Sequence, residues 1–143
     1  MELKKSVAET GDRGVEPSPL QSLHRYFIWA NRMRTHFDEI LSRGGYDEKI
    51  EFESWLYMSY WYGGLYVVIE GWRKLQLTDT VIDNLLLHPY VDLLRLYRNG
   101  TFHFHQDYHD KKFISFMKEG GDSAAWIRDL NEQFGRYFLK ENR

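Results

Sequence analysis

The stretch Asp47–Leu75, DEKIEFESWLYMSYWYGGLYVVIEGWRKL, decides the fold. Phe52, Trp55, Leu56, Ser59, Gly63, Tyr66, Val67, Glu70 and Lys74 recur every three or four residues, singly or beside a neighbour. That is the period of one helix face, and it predicts a helix from about Asp47 to Leu75. Gly63 and Gly64 sit in its middle, where each costs about 1 kcal/mol relative to Ala. Two compensations are open: close approach of a neighbouring backbone, or a kink.

Upstream, Ser18-Pro19-Leu20-Gln21 carries the spacing of a capping box, with Pro at the first helical position. Leu20, Leu23, Phe27, Ala30, Phe37 and Leu41 then predict an amphipathic helix that stops at Gly44-Gly45. Downstream, Thr78 or Thr80 is the expected cap of a short helix, with Asp83 completing a box from Thr80. Pro89 disfavours helical geometry at His88, so a fourth helix restarts there and runs past Arg98, with Gly100 a weak point. A short helical turn holds Phe113, Phe116 and Met117. Asp122 is the expected cap of a last helix striped by Trp126, Leu130, Phe134, Tyr137 and Phe138. No strand-length alternation competes with these patterns. The expectation is an all-α, up-and-down bundle of four long helices with one or two short ones. Residues 1–17, charged and holding Gly11 and Gly14, are expected to be a disordered leader, and 18–143 a single helical domain.

The 143 residues include 5 Trp, 10 Tyr and 9 Phe, an aromatic share of 17 % that rules out disorder for most of the chain. Cys is absent, which removes disulfides, thiolate metal sites and a thiol nucleophile. No run of about 18 apolar residues suggests a membrane span, and the N-terminus lacks a signal-peptide core. A cytoplasmic setting is expected. The net charge of -2 carries no basic excess, so a nucleic-acid role has to rest on a small local site. The aromatic surplus predicts a two-fold dimer, with the last helices and the Arg98–His103 segment near its axis.

Three constellations carry chemistry. In Arg98-Asn99-Gly100-Thr101-Phe102-His103, a helix would put Asn99 and His103 about 40° apart and Arg98 and His103 about 140° apart. One chain would then not focus both heads, but two chains meeting across an axis would. A planar guanidinium suits phosphate, and an imidazole exchanges protons near neutral pH. In the second, His103, His105 and His109 interleave with Asp107 and Asp110, a donor set that suits a transition metal but lacks any recognised ligand spacing. The expectation is no metal and no cofactor. The third is Glu70, which is either drawn into the bundle, with Arg98 as its partner, or exposed at the helix end.

The run Leu93-Leu94-Arg95-Leu96-Tyr97-Arg98-Asn99-Gly100-Thr101-Phe102-His103 resembles the signature of HEPN domains, in the Arg-Asn-x-x-x-His form of many HEPN ribonucleases. The likeness extends over roughly Pro19 to Arg143. It implies an HEPN-like bundle that dimerises with the two motifs facing one cleft. It also implies metal-independent RNA cleavage by the 2′-hydroxyl as internal nucleophile, in defence or stress. By the same resemblance His103 is the acid/base group, Arg98 holds the scissile phosphate and Asn99 orients them. In toxins of this type a modifiable Tyr often stands two residues after the His. Here this chain departs from that pattern, with His105 in that place and Tyr108 further on; Glu70, His105 and Tyr108 are the expected supporting residues. RNA or a nucleotide, and an antitoxin protein, are the implied partners. The alternative is a non-catalytic HEPN-like module that binds nucleotide, RNA or protein.

Overall fold

The computed structural model describes residues 16–44, 47–119 and 121–141. They form six helices and no strand: α1 (Pro19–Ser42), α2 (Glu48–Lys74), α3 (Thr80–Leu85), α4 (Tyr90–Phe102), α5 (Lys111–Met117) and α6 (Gly121–Glu141). The described residues are an all-α bundle of four long helices and two short ones. The leader expected over 1–17 lies outside the described residues as far as residue 15.

Local chemistry sets most helix ends. Ser18 Oγ accepts from the Gln21 amide at 3.1 Å while Gln21 Oε1 accepts from the Ser18 amide at 2.8 Å, so α1 starts on the expected capping box. Gly44, at φ +67°, follows the α1 C-terminus in the left-handed region that glycine adopts without penalty. Asp47 caps α2 through the Ile50 amide at 2.9 Å. Glu48 and Glu51 in the first turn and Arg73 and Lys74 in the last complement the helix dipole. At α3 the cap is neither Thr78 nor Thr80 but Asp79, whose Oδ1 accepts from Val81 and Ile82. Asp83 reaches back to the Asp79 amide at 3.0 Å. A carboxylate there also accepts from Arg136 of α6 at 2.8 Å, a bond neither threonine hydroxyl would make as strongly. Asp122 lies inside α6 rather than at its cap, because the helix already includes Gly121.

α2 is the central element, packed against α1 and α4. Its buried residues are Met58, Trp61, Tyr62, Leu65, Tyr66, Val68, Ile69 and Trp72 with the small Ser59 and Gly63. The expected face is therefore misplaced at its ends: Phe52, Leu56 and Glu70 are exposed. A helix contacted from several sides is apolar round most of its circumference, and one stripe no longer identifies the inward direction. Close approach of a neighbouring backbone is found at Gly64, whereas at Gly63 the neighbour is a side chain. A Cβ at Gly64 would stand 3.1 Å from the Ala30 Cβ of α1 and 3.5 Å from Ala30 Cα, and one at Gly63 would fall 2.6 Å from Phe102 Cε2. α6 buries the expected stripe of Trp126, Leu130, Phe134, Tyr137 and Phe138.

Polar links stitch α1, α2 and α6 through this core. Trp61 Nε1 donates to Asn131 Oδ1 at 3.0 Å, and Asn131 Nδ2 donates to Asn31 Oδ1 at 3.0 Å. Asp38 accepts from Arg34 and from Arg128, each at 2.7 Å. Burial acts to raise the Asp38 carboxyl, but the hydrogen bonds and charges of Arg128 and Arg34 prevail and hold it below the usual range. Among the described residues, no buried side-chain nitrogen or oxygen lacks a hydrogen-bond partner. None of the described helices is long and apolar enough to cross a membrane.

Candidate functional site

Arg98 lies on α4, and its side chain turns back over α2. Its guanidinium carbon sits 4.9 Å from the Tyr66 ring centroid. One terminal nitrogen donates to Glu70 Oε1 at 2.8 Å and the other to Glu70 Oε2 at 3.5 Å, while Nε donates to Asn99 Oδ1 at 2.9 Å. Tyr66 and Glu70 are four residues apart on α2, so one helix face supplies both the aromatic seat and the counter-charge. That spacing is legible in the sequence, where Tyr66 and Glu70 share one stripe.

The Glu70–Arg98 pair forms, but at the rim of the bundle rather than inside it. Glu70 keeps 49 % of its side-chain surface exposed against 19 % for Arg98. Water therefore remains near the carboxylate, and Glu70→Ala is expected to cost about 0.5–1 kcal/mol, not the 3–5 of a fully buried pair. A chemical-denaturation midpoint is the check, and a loss near the larger figure would mean the carboxylate is withdrawn from solvent.

α4 stops at Phe102, so His103 is not helical. It occupies the C-cap in extended conformation (φ -119°, ψ 135°), with its amide donating to the Asn99 carbonyl at 3.0 Å. The angles expected for a helical His103 do not apply. No glycine or proline stops α4 here. Instead the Phe102 ring lies against Gly63 and stacks on Tyr60 at 5.6 Å, fixing the helix end by packing. Gly100, the expected weak point, stays helical and buried, with Phe113 and Lys112 where a Cβ would project.

Beyond the cap, Phe104 is 90 % exposed. His105 folds back, with Nε2 3.4 Å from the Asn99 carbonyl and Nδ1 3.9 Å from Asp110 Oδ2. Asp110 caps α5 through the Lys112 amide. That bond, aided by the Lys112, His105 and Lys111 charges, outweighs desolvation and holds the Asp110 carboxyl below its ordinary value. Asn99 is thus the hub: its side chain steadies Arg98, and its carbonyl meets both the His103 amide and the His105 ring. Tyr108 does not join this group, since its ring contacts are Trp55 and His109. Among the described residues, no three His, Asp or Glu side chains gather as a metal-binding group.

Apolar surface surrounds the helix end. A groove lined by Tyr26, Trp29, Met33, Tyr60, Gly64 and Phe102 runs between α1 and α2 beside it. On α6, by contrast, Leu139 is the one large apolar side chain exposed among those described.

No family model matches the chain, and neither curated proteins nor solved structures yield a match.

Proposed function

We propose that this chain is a metal-independent endoribonuclease of the HEPN type, working as a cytoplasmic homodimer in defence or stress. The observation that carries the reading is the arrangement about Asn99. Arg98 is clamped between Glu70, Asn99 and Tyr66 with two of its five donors unassigned among the described residues. His103, one residue past the helix, is exposed. A preorganised guanidinium suits the charge that builds on a phosphate during attack by the 2′-hydroxyl. An exposed imidazole suits the proton transfer. Within one chain Arg98 points over α2 while His103 leaves α4 in extended backbone, which favours a site completed by a second copy. The apolar groove beside Phe102 supports such a pairing.

A second reading has its own observation. Glu70 already neutralises Arg98, which favours a non-catalytic module binding RNA, a nucleotide or a protein such as an antitoxin. Incubating the protein with mixed RNA in EDTA, beside His103→Ala, separates the two. Cleavage by the parent alone, ending in 2′,3′-cyclic phosphates, is the expected result. Equal background from both proteins points to the non-catalytic module.

A further inference from the structure

A second concave site lies between the C-terminal end of α1, the N-terminal half of α2, and α5. It is a cleft of about 680 Å³, within the size range of small-molecule sites. Trp55, Met58 and Phe113 line it together with the exposed Phe52, Tyr108 and Met117. Its aromatic lining is anchored to the core. Trp55 Nε1 donates to the Tyr97 hydroxyl at 3.1 Å, and that hydroxyl lies 2.8 Å from Ser59 Oγ. The Trp55 ring meets Tyr108 and Phe113 edge-on at 5.3 and 5.8 Å.

The charge on this lining is one-sided. Among the described lining residues the ionisable groups are Glu48 and Glu51, one turn apart on α2, with Tyr108 and His109, and there is no Lys or Arg. Aromatic faces attract cations, and two carboxylates at one end place the charge. We propose that this cleft binds a small apolar cation, an aryl- or alkylamine whose ammonium lies by Glu48 and Glu51 and whose body fills the aromatic part. The site is separate from Arg98 and His103 and does not depend on the ribonuclease reading.

Titration by two-dimensional NMR with 2-naphthylmethylamine, 2-naphthylmethanol and 2-naphthoate tests this at pH 7. Shifts are expected at the Trp55 indole N–H and around Tyr108 and Ile114. The amine should bind about tenfold tighter than the alcohol, and the carboxylate weakest of the three. Glu48→Gln with Glu51→Gln should bring the amine to the affinity of the alcohol. Unchanged alcohol binding by that variant shows that the cleft is still folded. Equal binding of amine and naphthoate, shifts mapping elsewhere, or no saturable shift would overturn the proposal. A mass that doubles with concentration and falls back in Phe52→Ser, without amine binding, would overturn it in favour of a second copy.

Discussion

Replacing His103 by Ala is expected to lower RNA cleavage by about 10²–10⁴-fold while RNA affinity barely changes, because a proton shuttle acts mainly in the transition state. Single-turnover rates and filter binding on one RNA measure the two quantities. Arg98→Lys keeps the charge but loses the planar fork that reaches Glu70 and Asn99 together, so it is expected to be clearly impaired as well. The decisive form is a purified mixed dimer of one Arg98→Ala chain and one His103→Ala chain. If each site takes Arg from one protomer and His from its partner, one site is intact and the other doubly damaged. Activity near half the parental rate is then expected. Sites built within single protomers would leave none. A confirmed mixed dimer as inactive as its parents would falsify the shared cleft.

Phe134→Ala is expected to be strongly destabilising. Phe134 is fully buried on α6, and its ring neighbours are Phe27 of α1, Trp72 of α2 and Phe138, at 6.4, 5.6 and 6.2 Å. Truncation opens a cavity where three long helices meet, and large aromatic-to-alanine changes cost about 3–5 kcal/mol. Against a total stability of about 5–15 kcal/mol, that is a large share. It corresponds to a fall in Tm of roughly 10–20 °C for a domain of this size. Calorimetry checks it, and a fall of only a few degrees would mean that α6 closes over the gap.

What the sequence revealed was local. The Ser18–Gln21 box, the break at Pro89 and the α6 stripe each depend on residues within a turn or two, and each is where its chemistry puts it. The inward face of α2 was harder to read, because helices contact it from several sides and residues such as Phe52 and Leu56 mimic its core period while facing solvent. The end of α4 was illegible for another reason. Phe102 stops beside Gly63 and Tyr60, a contact between distant parts of the chain that no capping residue announces. Glu70 could be matched with Arg98 by charge and position, but its exposure depends on how α4 lies across α2.

The tryptophans make the molecule its own optical probe. Trp55, Trp61, Trp72 and Trp126 each donate an indole hydrogen bond, to Tyr97, Asn131, Asp83 and the Leu85 carbonyl respectively. Trp29 is different: it stands 55 % exposed at the α1–α2 groove, with Arg25 over its ring at 5.2 Å. A collisional quencher such as acrylamide therefore dims one red-shifted emitter before it reaches the other four. Whatever settles on that groove, a second copy included, shields Trp29 and moves its emission to the blue, so association can be followed without a label.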